Sequence, residues 1–138
     1  MSDLLSLVHA TYDALNAGDL DACRPYFAED VETITPGGTL HSLDEWRAMG
    51  EAFLAAVPDM HHETVRTFES EDTIVVEGIY SGTQTGPLVG PTGTLPPSGN
   101  AFAFPYVDIF RTVDGKVVSH RIYWDNLGFM SQLGALVS

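Results

Sequence analysis

The stretch 101–125, AFAFPYVDIFRTVDGKVVSHRIYWD, concentrates side chains that can do chemistry. Asp108 lies in it among Phe104, Tyr106 and Phe110, and His120, Arg121, Trp124 and Asp125 follow after Asp114-Gly115. A carboxyl group surrounded by aromatic rings is disfavoured in its charged form. Proteins use that effect to tune an acid or base for work near neutral pH. The competing reading of Asp108 is a solvated or salt-bridged residue on an exposed face. Asp125 also has two readings, as an acid–base group or as the N-cap of a helix opening at Asn126.

Asp114-Gly115 is a strong hairpin signal, and the hairpin register decides which side chains meet. A two-residue turn sets Asp108 opposite Arg121, Tyr106 opposite Tyr123 and Phe104 opposite Asp125. A three-residue turn with a bulge sets Asp108 opposite His120 and Phe104 opposite Trp124. A slip of one residue moves every side chain to the other face, so the residues leave both registers open.

Other candidates carry weaker signals. His61-His62-Glu63 has the composition of a metal site. Adjacent strand residues point to opposite faces, however, so the two histidines cannot share an ion, and no metal is expected. One of them, taken as His62, can face a pocket. Cys23 falls on an apolar helix stripe and reads as core rather than nucleophile. His9 and His41 read as surface residues. The chain has no Gly-x-Ser-x-Gly elbow, no phosphate-binding loop and no dinucleotide fingerprint.

The elements that must position these groups are legible from periodicity. Leu4, Val8, Tyr12 and Leu15 recur at helical spacing, with Ser2 or Asp3 as cap and Gly18 as the stop. Asp19 caps a short second helix marked by Leu20, Cys23 and Phe27 and distorted at Pro25. Val31–Thr35 reads as a strand and Pro36-Gly37-Gly38 as a loop. Ser42 and Glu45 form a capping-box signature. Trp46, Met49, Phe53 and Val57 then mark an amphipathic helix that ends at Pro58. From there the period falls to two. Strands are expected at His62–Phe68, Thr73–Thr83, Ala101–Thr112 and Val117–Trp124, with a loop from Gly86 to Gly99 and a helical turn from Gly128 to Leu133. Helices followed by a run of strands imply α+β, with the helices on one face of an antiparallel sheet. A strongly curved sheet under that layer leaves a cone-shaped cavity.

The 138 residues suit one domain. Such a chain buries about 68–70% of its unfolded surface, enough for a core without staples. A net charge of −13 repels phosphates, so neither nucleic acid nor an anionic membrane is an expected partner. A single cysteine rules out an internal disulfide. The N-terminus lacks a basic region followed by an apolar run, so no signal peptide is expected. No apolar run is long enough to span a membrane. The expected location is the cytoplasm.

Several segments resemble a known family. YDALNAGDLDACRPYFAEDV (12–31) is similar to the opening of nuclear-transport-factor-2-like, cystatin-like proteins. VPDMHHE (57–63), GIYSGTQTGPLVGPTG (78–93) and DGKVVSHRIYWDNLGFMSQLG (114–134) resemble the SnoaL-like polyketide cyclases, or ester cyclases, over nearly the whole chain. The resemblance implies one SnoaL-like domain over 1–138. Its fold would be a cystatin-like cone: a curved, mixed-to-antiparallel sheet wrapped by three N-terminal helices around a pocket. It implies a homodimer or homotetramer that needs no metal or cofactor. The implied reaction is an intramolecular aldol ring closure on a hydrophobic carbonyl compound. By motif, Asp125 falls at the family's acid/base position, and His120 matches a histidine five residues earlier. Gln84, Ser119 and Arg121 stand where the family often has histidine, glutamate and tryptophan.

VDIFR (107–111) and GKVVSHR (115–121) also resemble the late strands of ketosteroid isomerase, which sets Asp108 at an oxyanion-stabilising position. The general base of that enzyme would fall at Thr35 and its tyrosine at Thr11, with Tyr12 one place off. Isomerisation by that mechanism is therefore not expected. The expected catalytic set is Asp125, His120 and Asp108. The expected substrate-binding set is Phe27, Trp46, Phe53, His62, Gln84, Phe104, Tyr106, Arg121 and Trp124. Two alternatives use the same scaffold. One is an epoxide hydrolase or isomerase, the former built on Asp108, Arg121 and Asp125. The other is a non-catalytic binding or assembly module.

Overall fold

A computed structural model describes residues 2–90 and 93–135. Helix α1 (Asp3–Asn16) starts where Ser2 Oγ accepts the Leu5 amide at 3.0 Å, and the left-handed Gly18 (φ 74°) follows its end. The next turn, Leu20–Tyr26, is a 3-10 segment capped by Asp19, with Pro25 inside it. It is shorter than expected. Pro25 cannot donate to a continuing helix, and Phe27 opens strand β1 (Phe27–Thr35) instead of closing a helix. Gly38 is not loop but the start of strand β2 (Gly38–Leu40), paired with β1 across Pro36-Gly37.

Helix α2 (Leu43–Ala56) carries the expected capping box. Ser42 Oγ accepts the Glu45 amide at 3.1 Å, and Glu45 Oε2 accepts the His41 amide at 2.8 Å. Strands β3 (His61–Ser70) and β4 (Thr73–Thr83) form a long hairpin. The Gly/Pro-rich stretch that follows is not wholly irregular. Its described part contains a small ribbon, β5 (Leu88–Gly90) against β6 (Gly93–Leu95), and residues 91–92 of the expected loop lie outside the described residues. Strands β7 (Ala101–Val113) and β8 (Lys116–Trp124) and helix α3 (Asn126–Gln132) complete the chain as described.

The main sheet has six strands in the order β2-β1-β8-β7-β4-β3. The β1–β8 pair is parallel and the others are antiparallel, so the sheet is mixed. The inner faces of β4 and β7 alternate strictly. Ile74, Val76, Gly78 and Tyr80 are buried on one strand, and Phe102, Phe104, Tyr106, Asp108 and Phe110 on the other. That face packs against Val8 and Tyr12 of α1 and Trp46 of α2 in one continuous core. Phe110 is fully buried, and a side chain of that size stabilises by about 2–3 kcal/mol relative to exposure. Among the described residues, no helix is long and apolar enough to cross a membrane.

Candidate active site

The β7–β8 register corrects both expected pairings. The turn is two residues long, with Val113 opposite Lys116 and Thr112 opposite Val117. A bulge then leaves Val118 unpaired, so Arg111 faces Ser119, Phe110 faces His120 and Asp108 faces Ile122. Neither Arg121 nor His120 is directly opposite Asp108. The bulge nonetheless turns His120 onto the inner face, diagonal to Asp108, and turns Arg121 outward, where it is exposed. The Asp108–Arg121–Asp125 arrangement needed for a hydrolase is therefore not assembled.

The inward groups form a connected chain. Trp46 Nε1 donates to His120 Nδ1 at 3.1 Å. An indole N–H can only donate, so His120 Nδ1 must carry a lone pair and the ring proton sits on Nε2. His120 Nε2 lies 3.1 Å from Asp108 Oδ1 and therefore donates to it as a neutral imidazole. The contact is a hydrogen bond, not an ion pair. On the other side, the Tyr12 hydroxyl donates to Asp108 Oδ2 at 2.5 Å. Burial first, and then the Asp108 charge, hold the Tyr12 phenol well above its ordinary pKa, so it remains a donor. Phe110 stacks on the His120 ring with centroids 4.3 Å apart and fixes its plane. Asp108 is 5% exposed and is held at both oxygens by neutral donors.

These groups line a cavity of about 110 Å³ between the sheet, α1 and α2. Its wall is mainly apolar, formed by Leu15, Met49, Phe53, Met60, Phe104 and Trp124 among others. Asp108 is the one carboxylate among the lining residues. Two further phenols line it. The hydroxyls of Tyr80 and Tyr106 are buried and have no hydrogen-bond partner among the described residues. Burial raises both phenols, with Asp59 adding to the effect at Tyr80 and Asp108 at Tyr106. The Tyr106 hydroxyl packs where Gly78 has no side chain. A Cβ at that position would collide with it and with the Glu63 carbonyl.

Six of the nine expected substrate-binding residues line the cavity: Trp46, Phe53, His62, Phe104, Tyr106 and Trp124. Three do not. Phe27 lies against Trp46, with the ring centroids 4.4 Å apart and the planes tilted by 35°. Arg121 faces out. Gln84 is buried but serves the loop, donating to the Gly86 and Pro96 carbonyls and accepting the Ser98 amide. Tyr12 and Tyr80 complete the polar wall, although their sequence signals mark only the core stripe of a helix and an inward strand position. Cys23 is fully buried, and burial pushes its thiol up to about 11, which fits a core residue. Among the described residues, no three His, Cys, Asp or Glu side chains converge as a metal site.

Asp125 does not enter the cavity. It is exposed and caps α3, with Oδ1 accepting the Gly128 amide at 2.9 Å. Asp125→Ala is therefore expected to cost about 1 kcal/mol of stability and to leave cavity chemistry within about twofold of wild type. Thermal unfolding and turnover of the same preparation check both halves.

The family model for SnoaL-like polyketide cyclases matches residues 6–133. Aklanonic acid methyl ester cyclase DnrD of Streptomyces peucetius is 31% identical over 142 aligned positions, covering 97% of this chain and 92% of that protein. The structure of TsrD from Streptomyces laurentii superposes with a TM-score of 0.85 at 27% identity, covering 97% and 96% of the two chains. A protein of ketosteroid isomerase-like fold from Catenulispora acidiphila DSM 44928 superposes with a TM-score of 0.77 at 20% identity, covering 94% and 93%, and shares the fold alone. A match over almost the full length, on a curved sheet with an inward carboxylate, shows that the chain belongs to the SnoaL-like polyketide cyclase family.

Proposed function

We infer that the chain is a cofactor-independent cyclase acting on a hydrophobic carbonyl compound, with Asp108 as its general base. The observation that carries this reading is the Asp108 carboxylate on the wall of an apolar cavity, oriented by Tyr12 and His120. Asp108 removes a proton from the carbon next to a carbonyl, and the C–H electron pair becomes an enolate. The Tyr80 and Tyr106 hydroxyls are buried in the wall without a partner among the described residues, and a small rotation of either ring would bring its O–H to the enolate oxygen as a donor. The enolate carbon attacks a second carbonyl of the same molecule and forms one C–C bond. The new alkoxide takes its proton back from Asp108, so atoms balance and the product is an isomer of the substrate. The apolar wall excludes water and folds the substrate into a reactive pose.

The test is incubation with an open-chain aromatic β-polyketone methyl ester and mass analysis of the product. A cyclised product of unchanged mass supports the reading. A product heavier by one water identifies a water-adding enzyme and overturns it.

A further inference from the structure

The cavity contains a polar atom that the ring-closing chemistry does not use. His62, on the inner face of β3, is gripped by Asn16 at the end of α1. Asn16 Nδ2 donates to the His62 carbonyl at 3.2 Å, and the His62 amide donates to Asn16 Oδ1 at 2.7 Å. These two bonds fix which end of the carboxamide is oxygen. The same Oδ1 lies 3.2 Å from His62 Nδ1, and an oxygen there can only accept. The His62 ring proton is therefore held on Nδ1, and Nε2 carries a lone pair. Nε2 makes no hydrogen bond among the described residues, although the ring lines the cavity. The ring is stacked on Tyr12 at 5.3 Å and flanked by Tyr80 at 4.8 Å and Tyr106 at 5.8 Å. Burial is the main cause that pushes His62 down to about 4, so the ring is neutral near pH 7.

Among the nitrogens and carboxylate oxygens of the wall's other side chains, each is already engaged within the protein, while the phenols Tyr80 and Tyr106 are the groups assigned above as donors to the enolate. Tyr80 and Tyr106 offer O–H groups, Trp46 is bonded to His120, and both Asp108 oxygens accept internal donors. We propose that His62 Nε2 accepts a hydrogen bond from a hydroxyl group on the substrate, with Asn16 as the residue that positions it. His62 then selects carbonyl compounds that also bear a phenolic or enolic O–H over their ethers and deoxy analogues. A site built to bond a hydroxyl rejects the analogue that lacks one, because its own polar atom is left unpaired. The proposal rests on the carbonyl-cyclase reading for the class of substrate, but its test measures binding and needs no turnover.

The probes are para-hydroxyacetophenone and its methyl ether, followed by quenching of tryptophan fluorescence. Wild type is expected to bind the hydroxyl compound about tenfold more tightly. His62→Phe is expected to bind the two alike, and Asp108→Asn to keep the preference. A preference retained in His62→Phe and lost in Asp108→Asn assigns the hydroxyl to Asp108 and overturns the proposal. Equal binding of both probes by wild type overturns it as well. Nitrogen NMR of wild-type protein supplies a readout that needs no variant. A proton on Nδ1 with a bare Nε2 supports the assignment, and a proton on Nε2 overturns it.

Discussion

Asp108→Asn is expected to lower kcat by about 10²–10⁴-fold while the protein stays folded. The substitution keeps the shape of the side chain and removes its basicity. The packing around it survives for a specific reason. The amide oxygen still accepts from His120 Nε2, and the Tyr12 hydroxyl can rotate to accept from the new NH₂ group. No buried donor is left facing another donor. The loss should therefore fall on the chemical step rather than on stability. Circular dichroism and thermal unfolding separate the two, and kcat within threefold of wild type removes Asp108 from the mechanism.

The second large effect concerns Tyr80 and Tyr106. Tyr→Phe at either position is expected to lower kcat by about 10²–10³-fold, the usual loss on deleting one oxyanion donor. Stability should move the other way or not at all. A buried hydroxyl without a partner costs the folded state about 1–3 kcal/mol of desolvation, and both hydroxyls are buried and unpartnered among the described residues. Removing them relieves that cost and leaves an apolar ring in an apolar wall. Reduced turnover with an unchanged or higher melting temperature is thus the signature of groups kept for function. Reduced stability with unchanged turnover would mean that these hydroxyls serve the fold.

Much of this arrangement follows from local rules. Strand β4 was readable to its ends because residues alternate with period two between turn residues at both sides. Helix α2 was readable because Ser42 and Glu45 start it and Pro58 stops it. The same alternation sets Asp108 on one face with Phe104, Tyr106 and Phe110, and the packing of that face under α1 and α2 decides that it points inward. The register of β8 was not readable. The turn is announced by Asp114-Gly115, but the bulge at Val118 has no glycine or other sequence mark, and it alone exchanges His120 and Arg121 between the two faces.

Asp125 shows a different limit. Its motif position pointed to catalysis, while its local sequence, an acidic residue before Asn126-Leu127-Gly128, also fitted a cap, and the cap is what forms. Tyr12 shows a third. Its place on the apolar stripe of α1 was legible, but its hydrogen bond to a residue 96 positions away depends on how α1 crosses the sheet. The short ribbon of β5 and β6 was hidden by glycine and proline, which ordinarily argue against strands.

The claim that Asp108 is the base is tested most directly by hydrogen exchange on a simple ketone. Acetophenone in deuterium oxide exchanges its methyl protons only when a base removes them. The account predicts that wild type and Asp125→Asn accelerate deuterium uptake equally, and that Asp108→Asn gives only the rate of buffer. Uptake by Asp108→Asn at the wild-type rate, or its loss in Asp125→Asn alone, would contradict the account.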